Sequence, residues 1–285
     1  DYLVSSLTNT SISTSVSNAA GSGLFDLENN CWNSEIIDLL ELKINLPLIC
    51  NTPSLPIGFY KDVKVFSAIG DQQASLLGLE SDLLNIAVSN IATGSQATVS
   101  SSKLVLNNKF QTRPYVNSNY ILTIPFIPAG RVLNSLVNLL MEINNNFFSG
   151  NMKVEEVWEN LVDFTNKIDL DQEIAPTLKI NTDFIGSFSI NGGSIKSIDE
   201  SNFKVTEVIL AFILDIVNNH AIALEELSKY KFFETVLISG GISQRLPIIK
   251  KALESKIDEK VVVSSISEDA LNGLRVLSID NIETW

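Results

Sequence analysis

The sequence predicts an α/β protein built on a mixed sheet with helices on both faces. Three observations carry this reading. Strand-like runs at 63–69, 84–91 and 235–239 each end in a glycine-containing turn. Three strand-like segments, 85–91, 96–102 and 120–125, precede alternating helices and strands, an order that suits a mixed sheet covered on both sides. With 285 residues, 45% of them hydrophobic, the chain can bury a large core and hold two domains.

Taken in order, Asn51-Thr52-Pro53 and Leu55-Pro56-Ile57-Gly58 form a turn-rich connector before the strand at 63–69. That strand enters Gly70-Asp71-Gln72-Gln73-Ala74, and a helix begins at Ala74. A carboxylate at a strand-to-helix turn projects from the carboxyl edge of a sheet, where α/β enzymes gather their chemistry, so Asp71 is a candidate general base. Asp71 equally suits an N-cap, accepting a backbone N–H of the following turn.

From about Leu79 a second domain is expected. Strands at 84–91 and 96–102 flank Ala92-Thr93-Gly94-Ser95, a hairpin turn whose amides and hydroxyls suit phosphate oxygens. Further on come a strand at 120–125, helices from Gly130 and over 154–168, and a long helix over 205–230. A strand at 235–239 leads into Gly240-Gly241, with a helix resuming near Leu246 and Pro247. Paired glycines let a ligand approach the backbone, and the next helix offers amides at its N-terminus. A strand at 260–264 and a helix from Glu268 close the pattern. Residues 181–202, rich in Asn, Ser, Gly and Asp, read as a surface loop or hairpin.

These segments together resemble the FGGY carbohydrate kinases, of the actin-like, ribonuclease-H-like ATPase superfamily. The likeness lies in Asp1-Tyr2-Leu3-Val4, Ser17-Asn18-Ala19-Ala20-Gly21-Ser22-Gly23-Leu24-Phe25-Asp26, Trp32, Gly70-Asp71-Gln72-Gln73-Ala74, Ile91-Ala92-Thr93-Gly94-Ser95 and Ser239-Gly240-Gly241-Ile242-Ser243. Within the family, Asn18-Ala19-Ala20, the serine ending the phosphate motif and Ala175-Pro176-Thr177 are most similar to sedoheptulokinases. Glycerol and xylulose kinases carry related motifs.

The resemblance implies a ribonuclease H-like fold in which 1–78 is the C-terminal part of the family's N-terminal, sugar-binding domain. Residues 79–285 would be the C-terminal, nucleotide-binding domain. It implies ATP-dependent transfer of a γ-phosphoryl group to a sugar hydroxyl, with ATP and Mg²⁺ required. Asp71 would be the base, Asp71 and Gln72 would bind sugar, and Asp71 would help position Mg²⁺. Thr93 and Gly94 would hold phosphates, with Gly130, Asn134, Gly241 and Arg245 lining the nucleoside pocket.

Some positions depart from the family pattern. The family's acidic, Gly/Thr-containing hairpin, which grips ATP phosphates and Mg²⁺, would precede residue 1. Ser15 stands in place of an aspartate and Ala92 in place of a glycine. Lys179-Ile180-Asn181 replaces Gly-Glu-Arg, and Arg245 replaces an asparagine. The chain alone is therefore expected to bind nucleotide weakly and to lack turnover. A truncated, catalytically inactive kinase-derived binding or scaffold protein is the alternative.

A net charge of −13, with 20 basic residues spread thinly, argues against nucleic acid and anionic membrane as partners. A sugar and ATP are the expected partners, with either a homo-oligomer or a missing N-terminal segment, in the cytoplasm. Cys31 and Cys50 are too few for a disulfide framework and read as reduced core thiols. The apolar stretch at 208–222 contains Asp215 and His220 and reads as a buried amphipathic helix rather than a membrane span. His220, the single histidine, reads as structural or solvated, without a nucleophile elbow to make a triad. Two cysteines and one histidine argue against a zinc site.

Overall fold

The computed structural model describes residues 1–79, 83–168, 176–184 and 192–279. In chain order it forms α1 (Tyr2–Thr8), β1 (Ser13–Ser15), α2 (Val16–Gly21), β2 (Phe25–Asp26), β3 (Cys31–Trp32), α3 (Ser34–Leu39), β4 (Leu48–Cys50), β5 (Pro56–Tyr60), β6 (Val63–Phe66) and α4 (Asp71–Gly78). A short 3₁₀ turn (Leu83–Asn85) leads to β7 (Ile86–Asn90), β8 (Ser95–Ser101), β9 (Gln111–Tyr115), β10 (Asn119–Ile127), α5 (Gly130–Phe147) and α6 (Val154–Asn166). The chain ends with β11 (Lys179–Asn181), β12 (Ser194–Lys196), α7 (Val205–Ser228), β13 (Thr235–Ser239), α8 (Gly241–Arg245), α9 (Ile248–Glu254), β14 (Lys260–Val263) and α10 (Asp269–Ile279).

These elements pack as two compact units. The first comprises 1–84, 100–123 and 266–285, and the second comprises 85–99 and 124–265. Ala175, part of one family motif, lies outside the described residues, as do 185–191 within the expected 181–202 loop. The flanks of that loop form an antiparallel pair, β11 with β12.

In the first unit, β1 and β4 pair in parallel and β5 and β6 antiparallel, with a register irregularity between Pro56 and Gly58. Phe25 meets Trp32 edge-on across β2 and β3, with ring centroids 6.1 Å apart, and Trp32 Nε1 donates to the Pro47 carbonyl at 3.0 Å. The tightest packing is between α4 and α10. A Cβ on Gly78 would lie 1.8 Å from the Asp269 carbonyl oxygen, and one on Gly273 would lie 1.8 Å from that of Ala74. Asn272 Nδ2 donates to the Gly78 carbonyl at 2.7 Å. The two helices therefore meet backbone to backbone, which only glycine at both positions allows.

The second unit has β13 flanked by parallel β7 and β14, while β7 and β8 form the expected antiparallel hairpin. Buried Ala87 and Val88 of β7 and Val236 and Ile238 of β13 supply the sheet's apolar positions. Against them α7 contributes Ile209, Ile213, Ile216, Val217 and Leu224, with Ile249 and Leu253 from α9. Among the described residues α7 is the one helix long and apolar enough to cross a membrane, and eleven of its residues are buried inside the unit. It packs as a core helix, as its Asp215 and His220 suggested. Asp215 Oδ2 accepts from the Thr182 amide at 2.8 Å and the Thr182 hydroxyl at 2.7 Å, tying β11 to the helix.

His220 is structural rather than solvated: it is fully buried, and its Nδ1 pairs with the Ser89 hydroxyl at 2.8 Å. Burial disfavours the imidazolium and pulls its pKa from 6.5 down to about 3. The native state thus holds His220 neutral, whereas the unfolded chain protonates below pH 6.5. Stability contributed by neutral His220 is full above pH 6.5 and falls by about 1.4 kcal/mol per pH unit down to pH 3. Urea unfolding at pH 4, 5 and 7 should show this slope in the wild type and its loss in His220→Gln. Parallel pH profiles for the two proteins would refute the buried neutral histidine.

The cysteines are both free, but Cys31 is exposed and Cys50 half-buried, so neither is a core thiol. Cys31 lies on a two-residue strand, too short an element to bury it.

Candidate functional site

Asp71 belongs to the first unit. The helix starts at Asp71 itself, three residues earlier than the sequence suggested, and the N-cap is Gly70. Asp71 therefore does not cap the helix: its Oδ1 accepts from the adjacent Gln72 amide at 2.7 Å, and the residue is exposed. Its negative charge in the first turn is favoured by the helix dipole. The two glutamines behind it are buried. Gln72 Nε2 donates to the Thr123 hydroxyl at 2.9 Å, and Gln73 Nε2 donates to the Pro114 carbonyl at 3.1 Å.

The turn before Asp71 is anchored from α2. The Gly70 amide donates to Ser17 Oγ at 3.0 Å, Ser17 Oγ bonds Ser15 Oγ at 2.8 Å, and Ser15 Oγ caps α2 by accepting from the Asn18 amide at 3.2 Å. Ser15 is thus a buried structural hydroxyl.

Sequence reasoning missed Arg113. It lies on β9, half-buried, and its Nη1 donates to Gln72 Oε1. Its Nε and Nη2 donate to Gln111 Oε1 at 3.2 and 2.6 Å. Burial lowers the guanidinium pKa from its ordinary value, and the Asp71 carboxylate opposes that change. The available signal was one of only four arginines in the chain, set in a run with β-forming neighbours. Pro114 obscured that run.

The nucleotide-side candidates lie in the second unit. Thr93 and Gly94 are exposed in the turn joining β7 to β8, which Ser95 braces through bonds of 3.2 Å to the amide and carbonyl of Ala92. The Gly130 amide donates to the Ala92 carbonyl at 3.0 Å. A Cβ on Gly130 would lie 2.6 Å from Ile242 Cδ1 and 2.9 Å from Thr93 Cα. The β7–β8 turn and the starts of α5 and α8 therefore converge at the carboxyl ends of β7 and β13.

Gly240 has φ +97°, and a Cβ there would lie 2.5 Å from the Ile91 carbonyl oxygen, so this position requires glycine. The helix resumes at once as α8 from Gly241, earlier than expected, and Pro247 caps α9. Asn134 and Arg245 are exposed, one turn beyond Gly130 and Gly241 respectively.

Nothing stands within 4 Å of the place where a Gly241 Cβ would sit. Gly241→Val should therefore fold normally while filling space in front of the turn. Calorimetry is expected to show ATP affinity reduced at least tenfold in this variant, with an unchanged unfolding midpoint. Unchanged affinity in the folded variant would remove Gly241 from the nucleotide site.

For Mg²⁺, Asp71 offers one exposed carboxylate, and the described residues contain no group of three or more metal-ligating side chains. That donor set fits an ion held mainly through nucleotide phosphates, since Mg²⁺ takes one or two carboxylates and keeps several waters.

No model of a known protein family matches the sequence, and no curated protein sequence matches it. Similar solved structures include a ligand-bound xylulose kinase from Lactobacillus acidophilus, with TM-score 0.78 and 17% identity over 97% of this chain and 57% of that chain. Plasmodium falciparum glycerol kinase with ADP has TM-score 0.75 and 17% identity over 97% of this chain and 56% of that chain. Gluconate kinase from Lactobacillus acidophilus has TM-score 0.77 and 17% identity over 97% of this chain and 57% of that chain. Over the portion it spans the chain has the fold of these kinases, and it spans little more than half their length.

Proposed function

We propose that the chain belongs to the FGGY carbohydrate kinases and takes part in ATP-dependent transfer of a γ-phosphoryl group to a sugar hydroxyl, the preferred acceptor being a ketose such as sedoheptulose. The observation that carries this is Asp71, an exposed carboxylate presented at the start of α4 by two buried, hydrogen-bonded glutamines. The folds of xylulose, glycerol and gluconate kinases, one of them with ADP, support the reading.

In this reading Asp71 takes the proton of the acceptor hydroxyl and helps position Mg²⁺, which would offset charge on the transferring phosphoryl group. Thr93 and Gly94 hold phosphate oxygens through the hairpin turn. Gly130, Asn134, Gly241 and Arg245 line the nucleoside pocket. Gln72 serves the sugar site from behind, because its amide is already engaged by Thr123 and Arg113. Residues 1–78 act on the sugar side, joined in the same unit by the segment 100–123, and 79–285 otherwise on the nucleotide side, in the cytoplasm.

A second reading, a catalytically inactive kinase-derived binding protein, is favoured by Ser15, whose buried hydroxyl replaces a carboxylate. ADP release across a panel of ketoses and polyols, by a longer form that includes the phosphate-gripping hairpin, separates the two. Sugar-dependent release highest with sedoheptulose supports the proposal, and highest release with xylulose or glycerol moves the acceptor within the family. Nucleotide binding without turnover on any acceptor supports the inactive protein.

A further inference from the structure

We propose that Arg113 is a specificity-determining residue of the acceptor site, engaging vicinal oxygens of a neutral, polyhydroxylated sugar beside the hydroxyl that Asp71 deprotonates. The inference rests on the kinase reading above and names the substrate class that the same site takes.

Three observations lead to it. Arg113 is half-buried on β9 and its Nη1 donates to the side chain of Gln72, the residue after the exposed Asp71. Asp71 opposes the cost of bringing this cation partly out of water, and the two opposite charges cancel over the site. A neutral pair suits an uncharged acceptor better than a sugar acid.

The guanidinium is also aimed. Gln72 fixes Nη1 from one side, while Gln111 accepts from both Nε and Nη2 on the other. These bonds use three of its five N–H groups and hold the plane in one orientation. Gln72 is itself pinned by Thr123, so one end of the guanidinium is held by a buried group while Gln111 holds the other from an exposed position. The remaining donors, carried on a fixed fork, match a pair of adjacent oxygens better than a single one. Glycerol offers fewer such oxygens beyond its reacting hydroxyl than a ketose of six or seven carbons.

The experiment compares wild type, Arg113→Gln, Arg113→Lys and Gln111→Ala, each in the longer form that includes the phosphate-gripping hairpin, with sedoheptulose and with glycerol, by ADP release and by calorimetric binding of each acceptor. Arg113→Gln should raise KM for sedoheptulose roughly tenfold to hundredfold, the range for losing hydrogen bonds to a charged donor, with kcat changed only a few-fold and glycerol unaffected. Arg113→Lys should fail to restore it, since an ammonium lacks the fork. Gln111→Ala, at an exposed position that leaves the core intact, should shift KM in the same direction by less.

Equal effects on both acceptors, or rescue by lysine, would overturn the inference and leave the kinase reading standing. Absence of turnover in the wild type would remove the kinase reading, and calorimetry then decides: sedoheptulose affinity lost in Arg113→Gln upholds the acceptor site. Equal affinity in the two proteins, or no binding to either, overturns it.

Discussion

Gly273→Val is expected to unfold the first unit. A Cβ at this position would lie 1.8 Å from the Ala74 carbonyl oxygen, 2.6 Å from its carbon and 3.0 Å from the Gly78 amide nitrogen. All three are backbone atoms of α4, so no rotamer change relieves the overlap and the two helices must separate. Separation breaks the bond from Asn272 to the Gly78 carbonyl and exposes Ala74, Leu76 and Leu277, all buried. Overpacking in a core ordinarily costs about 1–3 kcal/mol, and a clash against backbone with loss of a helix interface should exceed about 4 kcal/mol. Gly21 is the control, because nothing lies within 4 Å of its Cβ position. Gly21→Ala should stay within about 0.5 kcal/mol of wild type in urea unfolding. A wild-type midpoint for Gly273→Val would mean that α4 and α10 do not touch through their backbones.

In an active form that includes the phosphate-gripping hairpin, Asp71→Asn should lower turnover by about two to four orders of magnitude, the range for losing a general base, with ATP affinity nearly unchanged. The substitution keeps shape and retains an oxygen to accept from the Gln72 amide, so the turn from Gly70 stays in place. What disappears is the carboxylate's capacity to receive a proton. The accompanying loss of a favourable charge at the start of α4 should cost only about 0.3–1 kcal/mol of stability. Steady-state kinetics with the preferred sugar, beside a denaturation curve, separates the chemical effect from the structural one. A near-native rate would remove Asp71 from the mechanism.

Local patterns read well where local physics decides. The β7–β8 hairpin, the start of α5 at Gly130 and the passage of β13 into Gly240-Gly241 were all legible, because alternating apolar residues and glycine turns report on a few neighbours at a time. β9 was not, since Pro114 interrupts the pattern. It is tolerated because, among the described residues, β9 has a strand partner, β10, on one side only. Arg113 escaped for the same reason, and its meaning depends on Gln72, 41 residues away. The burial of Ser15 and the pairing of Gly78 with Gly273 likewise depend on partners distant in sequence.

The α4–α10 crossing also bears on how the polypeptide reaches its native state. Asn272 and the Gly78 carbonyl that it bonds are 194 positions apart, so joining them closes a loop whose entropic cost is about 5 kcal/mol before other contacts shorten it. During synthesis, the helix that begins with Asp71 emerges long before its partner exists. Until residues 269–279 leave the ribosome, the glycine face of α4 has nothing to lie against. Maturation of the segment bearing the acid thus waits on the translation of α10, which makes that nascent stretch the natural client of a chaperone.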